Sequence, residues 1–204
     1  GITILGSMDY MARRTAGRIV RNAATIGGNT MLVLKHIPEG SGDPFPSDLF
    51  TSLYSANAEI TYFEFSERAY KKERKTAQDL VDAIRFDTTL ADRILLCSYD
   101  VPLGAKNEVV LAQKVSLREV NSHSIVNSTT HFNITDNCDI ESATLVFGGI
   151  APYPWRAKKT EKAMNGKKLS LADASQFSKI LADEVSEELN VWAERMEEVP
   201  DEGF

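Results

Sequence analysis

A run of small residues, Thr25-Ile26-Gly27-Gly28-Asn29, is the first part of the sequence whose composition fits ligand binding. Paired glycines let backbone amides come close to an anion or a ring system, at positions that a side chain would block. The same run also fits an ordinary tight turn, because Gly-Gly-Asn is a strong turn sequence. Its spacing matches neither a phosphate-binding loop nor a dinucleotide-binding fingerprint. Both interpretations, turn and ligand loop, therefore stay open.

Two charged residues further along the chain are the other candidates for contact with a ligand. Asp48, in Pro46-Ser47-Asp48-Leu49, has a carboxylate of the kind that accepts hydrogen bonds from ligand hydroxyls. It also fits the cap of a short helix that begins near Leu49. Lys114 falls within a predicted strand, where a lysine usually lies on the solvated face.

The histidines and cysteines indicate neither a catalytic site nor a metal site. His36, His123 and His131 have no acid or nucleophile at a recognisable spacing, so we interpret them as structural or surface residues. Cys97 and Cys138 are the two cysteines of the chain, and neither has a second Cys or His at a ligand interval. We predict no catalytic side chain and no metal ligand, and the low cysteine content favours a reducing compartment.

The composition, 204 residues with 43% hydrophobic and 25% charged, is typical of a globular protein. The net charge of -6 is unevenly distributed: residues 182–204 hold nine acids and one arginine, whereas residues 11–38 hold five bases and no acid. This pattern favours a small anionic ligand and argues against nucleic-acid binding. No apolar run reaches the roughly 18 residues of a membrane span, and residues 1–8 lack the features of a secretory signal. We therefore expect a soluble, cytoplasmic protein without a membrane partner.

Hydrophobic periodicity and turn residues predict the elements that must position these side chains. Pro, Gly and polar residues place a domain boundary near 101–107, which gives domains over 1–104 and 105–204. The elements predicted before the boundary are a strand over 1–6, a brief basic stretch over 10–21 that is compatible with a helix, a loop over 37–48, a strand over 58–65, a short helix after Thr76 and a buried strand over 92–101.

Three strands and two helices are predicted after the boundary, so the fold class is α+β. The connections between the strands are too short for parallel crossovers, which predicts an antiparallel meander. Apolar residues at intervals of three and four predict that the last helix packs on this sheet and that its acids face solvent. The predicted ranges are 109–116, 124–134 and 141–147 for the strands, and 157–165 and 173–196 for the helices, the second being one long helix or a broken pair.

Taken together, these segments resemble the flavin-binding domain of the xanthine dehydrogenase and aldehyde oxidase family of molybdenum hydroxylases, and xanthine dehydrogenase in particular. The chain ends in Pro200-Asp201-Glu202-Gly203-Phe204, which is similar to the linker before the family's molybdenum domain. The segments that carry the resemblance are Val20-Arg21-Asn22-Ala23-Ala24-Thr25-Ile26-Gly27-Gly28-Asn29, Pro46-Ser47-Asp48-Leu49, Lys114 to Val126, and Phe147-Gly148-Gly149-Ile150-Ala151-Pro152 with Arg156-Ala157 and Thr160-Glu161 downstream.

The resemblance implies an incomplete FAD-binding domain of the vanillyl-alcohol-oxidase type. Its second half would occupy residues 1–104, and a flavoprotein C-terminal domain would follow over residues 105–204 and end in the linker. This second domain would contain a three-stranded antiparallel sheet and helices. The first flavin-binding half, the iron-sulfur domains and the molybdenum domain of the family do not match any part of this sequence.

The resemblance also implies which residues contact the flavin. Ser47 and Asp48 would face its ribityl and ring region, and Lys114 would lie near its head, where a cation favours the anionic reduced form. Ile94 and Leu95 would pack on the cofactor. The implied cofactor-binding set is Ala16, Thr25, Gly28, Asn29, Leu32, Ser47, Asp48, Ile94, Leu95 and Lys114.

The function that the resemblance implies is electron transfer through FAD, from iron-sulfur clusters to NAD or oxygen. Molybdopterin and the 2Fe-2S clusters of the parent enzyme would be bound outside this chain, in the rest of the polypeptide or in other subunits, and the chain alone would be inactive. A homodimer is a further expectation from the family. The alternative is a structural or assembly subunit with a vestigial flavin site, and a protein that binds another anion through its basic loop is a third interpretation. Purine and aldehyde substrates both stay open.

Overall fold

The computed structural model of the chain describes residues 3–39, 45–168 and 170–197. These residues form a mixed α+β fold with two antiparallel sheets, in agreement with the predicted class. None of the described helices combines the length and apolar character that crossing a lipid bilayer requires. In chain order the elements are α1 (Ile4–Arg14), α2 (Arg18–Ala23), α3 (Ile26–Glu39), α4 (Asp48–Ser55), β1 (Glu59–Phe65), β2 (Tyr70–Thr76), α5 (Ala77–Phe86), β3 (Ile94–Asp100), β4 (Glu108–Val115), β5 (Val126–Ile134), β6 (Ile140–Gly148), β7 (Trp155–Arg156), α6 (Lys158–Met164) and α7 (Leu171–Glu197).

The first sheet has the strand order β2-β1-β3 and packs against α3, α4 and α5. The strand predicted over 58–65 is confirmed as β1, and the predicted helix after Thr76 is confirmed as α5. Thr76 caps α5 by accepting a hydrogen bond from the backbone N–H of Asp79 at 3.0 Å, as expected for a Thr with an acid three residues later. Large buried side chains such as Phe50 and Tyr62 fill the space between helices and sheet.

The strand predicted over residues 1–6 is wrong, because the described part of this segment is the start of helix α1. Two features of the segment favour a helix more strongly than its β-branched residues favour a strand. Thr3 caps the helix, and Ile4, Ser7 and Met11 are buried at a spacing that repeats with the helical period. The burial of this face against the second sheet decides the conformation, as tertiary packing commonly does for residues of weak propensity.

Two further predictions about the first half need correction. The segment 92–101 does contain a strand, but β3 is an edge strand rather than a buried one, and Leu95 is 57% exposed. The loop predicted over 37–48 is helical as far as Glu39 in α3, despite Pro38. Residues 40–44 of that prediction lie outside the described residues.

The second sheet has the strand order β4-β5-β6-β7 and confirms the predicted antiparallel meander. It contains four strands rather than the three predicted, because Trp155 and Arg156 pair with Phe147 and Val146. Two residues are too few to show a strand period in the sequence. Helices α6 and α7 cover one face of the sheet, and α1 and α4 pack against the other.

The last helix, α7, is a single helix of 27 residues, which settles the choice between one helix and a broken pair. The prediction that all its acids face solvent is wrong for Glu184, which is buried. The Glu184 carboxylate accepts hydrogen bonds from the backbone N–H groups of Lys159 and Thr160, both at 2.8 Å. A carboxylate from one helix therefore caps the first turn of another, and this contact outweighs the cost of burial.

Helices α1 and α4 hold the two sheets together. Helix α1 contacts both α4 and β4, and Ile4, Ala56 and Val110 form a small buried cluster between them. Helix α4 also packs on β5 and β6. The division into domains 1–104 and 105–204 stays a prediction.

Candidate functional site

A cleft of about 290 Å³ lies where three loops meet helices α2, α3 and α4 and strand β4. The loops are residues 15–17 between α1 and α2, residues 45–47 before α4, and residues 121–124 between β4 and β5. The structure brings half of the predicted cofactor-binding residues together along this cleft, namely Ala16, Asn29, Ser47, Asp48 and Lys114.

The wall of the cleft contains a buried ion pair between Lys114 and Asp48. Lys114 Nζ donates to Asp48 Oδ2 at 2.6 Å and to the backbone carbonyl of Arg14 at 2.9 Å. The exposed fractions of the two side chains are 3% and 6%. Lys114 is thus not the solvated strand residue that its position in the sequence favoured. A buried ammonium is stable here because its charge is compensated within hydrogen-bonding distance.

Both oxygens of the Asp48 carboxylate are engaged by protein groups. The second oxygen, Oδ1, accepts from the hydroxyl of Ser124 and from Nδ2 of Asn127, the latter at 3.0 Å. Asp48 is also the first residue of α4, where the helix dipole favours a negative charge. The carboxylate therefore connects three different segments of the cleft wall. These protein contacts account for a buried aspartate at this position without a hydrogen bond to a ligand hydroxyl.

Ser47 connects the helices on either side of the cleft. Its hydroxyl caps α4 by accepting from the backbone N–H of Phe50 at 3.0 Å, and it donates to Oδ1 of Asn29 in α3. Among the described residues, no group accepts a hydrogen bond from Nδ2 of Asn29. Asn29 lines the cleft, so this amide is a donor available to a ligand there.

The loop over residues 15–17 is held in a sparsely populated conformation. Ala16 has φ of 48°, which is unusual for a residue with a Cβ, and the Arg21 guanidinium donates to the carbonyls of Thr15 and Ala16 at 2.8 and 3.0 Å. Opposite it, Asn121 has φ of 54°. A Cβ at Gly17 would lie 2.2 Å from Asn121 Oδ1, so the two loops meet because residue 17 is glycine. Such strain persists where surrounding structure enforces it, often at ligand sites.

The Gly-Gly-Asn run does not form the turn that its composition favoured. Gly27, Gly28 and Asn29 belong to the first turn of α3, and Gly28 N donates to the capping hydroxyl of Thr25 at 2.9 Å. Gly28 and Thr25 are exposed at this helix end and do not line the cleft. Leu32, one turn further, is 46% exposed and also lies outside the lining.

Ile94 and Leu95 lie on β3, in the first sheet, and do not line the cleft either. Ile94 packs against the core of the first half, whereas the side chain of Leu95 is mostly exposed. Contact of these two residues with a flavin, like that of Thr25, Gly28 and Leu32, stays a prediction.

The structure adds cleft residues that the sequence did not single out. Phe45 stands between His36 and His123, with ring centroids 5.7 and 5.8 Å apart, and contributes an aromatic surface next to the ion pair. Ser124 also lines the cleft, whereas Asn127 lies behind it, and both are the partners of Asp48 described above. The sequence carried no signal for Asn127 in particular, because residues 127–131 are all polar and show no alternation that would assign one of them to the cleft side of the strand.

The residues of the cleft fit the ring system of a flavin better than a metal ion. The described residues contain no group of three or more His, Cys, Asp or Glu that could hold a metal. The volume lies at the lower end of the range for small-molecule pockets, which suits a ring system but not a whole dinucleotide. Amide and ammonium donors, including one N–H of Lys114 beyond its two protein partners, match the ring carbonyls and nitrogens of such a ligand.

Comparison with known proteins agrees with this chemistry. Residues 112–195 match the family model described as CO dehydrogenase flavoprotein C-terminal domain. The chain is 31% identical over 176 residues to an indole-3-acetaldehyde oxidase of Zea mays, covering 85% of this chain and 12% of that protein. It is 28% identical over 173 residues to the xanthine dehydrogenase of Blastobotrys adeninivorans, covering 85% of this chain and 11% of that protein.

The chain is similar to molybdenum hydroxylases over most of its own length. It corresponds to the flavoprotein region that xanthine dehydrogenases, aldehyde oxidases and CO dehydrogenases share, as the sequence resemblance predicted. The fold is similar to that of reconstituted CO dehydrogenase from Oligotropha carboxidovorans, with a TM-score of 0.61 at 12% identity, over 94% of this chain and 65% of that chain. The chain spans only 11–14% of the length of the curated relatives it matches.

Proposed function

We propose that this chain is the FAD-binding, electron-transferring part of a xanthine dehydrogenase-like oxidoreductase. The observation that carries the proposal is the buried Lys114–Asp48 pair, which lies in the wall of a cleft of ring-system size. Electrons would arrive from iron-sulfur clusters and leave to NAD or oxygen. The clusters and the molybdopterin would belong to the rest of the parent polypeptide or to other subunits, so the chain alone would be inactive. A cytoplasmic location and a homodimer belong to the same proposal.

Bound FAD would supply the capacity to accept and release electrons, which no side chain of the cleft provides. The residues of the chain bind and orient the ring. Asn29 and Asn121 offer amide groups at the rim, and Lys114 keeps one N–H for a ligand atom beyond those given to Asp48 and Arg14. The loop over residues 15–17, which Arg21 holds with Ala16 at positive φ, forms part of the cleft lining.

The ion pair determines how Lys114 acts on a ring bound in the cleft. Asp48 compensates the charge of Lys114, so the ring would feel an oriented pair rather than a free cation. Replacing Lys114 by Met leaves the Asp48 carboxylate without that compensation. A negative charge beside the ring disfavours the anionic reduced flavin, so the reduction potential should fall in Lys114→Met.

The deciding experiment measures the flavin that accompanies the natural protein. The protein is purified from its source, its intact mass is determined, and the flavin released on denaturation is quantified by absorbance. The proposal expects about one FAD per chain and a mass well above that of 204 residues, or co-purifying subunits. A chain of 22.6 kDa without releasable flavin would contradict it. The potential of Lys114→Met, compared with wild type, then tests the tuning role.

One observation favours the second candidate, a structural or assembly subunit with a vestigial flavin site. Both oxygens of Asp48 accept hydrogen bonds from protein groups, so the protein itself holds this part of the cleft wall in place. For this candidate, purified protein would carry no flavin and would bind added FAD weakly, while still associating with iron-sulfur or molybdenum subunits.

A further inference from the structure

The side-chain amide of Asn127, on β5, joins the cleft wall to the chain that precedes α4. Asn127 is 1% exposed, and its Nδ2 lies 3.0 Å from Asp48 Oδ1 and 3.0 Å from the carbonyl oxygen of Pro46. Its Oδ1 lies 2.8 Å from the hydroxyl of Thr51, which belongs to α4. Every polar atom of this amide is therefore used to hold residues 46–51 against the second sheet.

The orientation of the amide follows from chemistry. The carbonyl of Pro46 only accepts hydrogen bonds, and so does a carboxylate that is paired with an ammonium. Both face the same end of Asn127, so that end must be the NH₂ group. A Leu at this position would have a similar size and no donors. It would leave Asp48 Oδ1 with Ser124 as its only partner among the described residues.

A second observation concerns Gly148, which is the cross-strand partner of Asn127 in β6. A Cβ at Gly148 would lie 2.6 Å from Asn127 Oδ1, closer than real Cβ atoms approach. Gly148 is not among the glycines with positive φ, so backbone conformation does not require glycine there. Glycine weakens a strand interior and commonly marks a close approach. The space at Gly148 thus serves the Asn127 side chain.

We propose that Asn127, seated in the space left by Gly148, is the positioning residue that fixes the Asp48 carboxylate at the cleft. Asn127 acts through Asp48 and does not line the cleft itself. This proposal rests on the proposed function in one respect: FAD is taken to be the ligand of the cleft, and its affinity is used to detect a change at Asp48. It explains why a buried amide and a strand glycine face each other behind the ion pair.

The test titrates FAD into the flavin-depleted full protein and follows flavin fluorescence. Asn127→Leu removes the donors, and Gly148→Ala displaces the amide while leaving it in the chain. We expect each to weaken FAD binding about tenfold, because each disturbs a buried hydrogen bond to a charged group. Thr129→Val is the matched control. It removes the neighbouring contact between Thr129 and Ser52, 3.1 Å apart, but no partner of Asp48, and should change the affinity less than about twofold.

A double variant separates positioning from general destabilisation. In an Asp48→Asn background the carboxylate is already gone, so adding Asn127→Leu should weaken FAD binding no further. An additional tenfold loss in that background, or an equal loss in Thr129→Val, would overturn the proposal.

Crystal structures of the flavin-free proteins provide a readout that does not depend on FAD. The carboxylate of Asp48 should turn away from its wild-type position in Asn127→Leu and in Gly148→Ala, and keep that position in Thr129→Val. An unmoved carboxylate in both variants would refute the positioning role. Failure of wild-type protein to bind FAD would contradict the proposed function instead, and the crystallographic comparison would still decide the role of Asn127.

Discussion

Removal of Lys114 is the perturbation whose cost follows most directly from the structure. Lys114→Met keeps the length and apolar stem of the side chain and removes only the ammonium. It leaves Asp48 buried, with hydrogen bonds from Ser124 and Asn127 but without a compensating charge. It also leaves the carbonyl of Arg14 without its donor.

The size of the effect comes from the burial of both partners. Breaking a buried ion pair by removing one member costs about 3–5 kcal/mol, because the remaining charge stays desolvated. The two retained hydrogen bonds and the first turn of α4 still stabilise the Asp48 carboxylate, so we expect about 3 kcal/mol for Lys114→Met. Removing both charges, in Lys114→Met with Asp48→Asn, should cost about 2 kcal/mol less than the sum of the single losses.

The assay is urea unfolding of the four proteins of this cycle at pH 7, followed by circular dichroism. The exposed pair Arg13–Asp9, with side chains 75% and 59% exposed, supplies a control cycle in the same chain, for which the coupling should stay below about 0.5 kcal/mol. A coupling for Lys114–Asp48 no larger than that of the control would refute the inference that the pair is buried and mutually compensated.

Three further predictions concern stability. Glu184→Gln should lower the free energy of unfolding by about 1–2 kcal/mol in thermal unfolding, because the charged cap of α6 is lost; no change would contradict the cap. Burial, and secondarily Asp82, raises the pKa of Tyr54 from 10.0 to about 12, so the unfolded state ionises first and stability should fall by about 2 kcal/mol between pH 10 and 12. Tyr54→Phe should flatten that fall, and an unchanged slope would count against it. Gly27→Ala should stabilise the protein by about 0.5–1 kcal/mol in urea unfolding, since its Cβ meets only Thr25 Oγ1 at 3.9 Å within a helix; destabilisation would show that the turn needs glycine.

Local sequence patterns predicted the elements whose signals are local. The alternation in β1 predicts that strand to within one residue of its observed bounds, and the capping sequence at Thr76 predicts where helix α5 begins. The order of strands in the meander follows from short connections. The same local reasoning failed where packing overrides propensity, as in α1, and where an element is too short to show a period, as in β7.

For the site, the sequence by itself indicated the resemblance to molybdenum hydroxylases, the segments that carry it and five residues that lie along the cleft. It could not determine the states of those residues, since a strand lysine is usually solvated and a Gly-Gly-Asn run usually turns. Only the tertiary structure decided that Lys114 is buried against Asp48 and that Gly28 opens a helix. The physical reason is that charge compensation at Asp48 depends on side chains from β4, β5 and the loop before β5, between 66 and 79 residues away along the chain. Contacts of that separation exist only after the sheets and α4 have packed together.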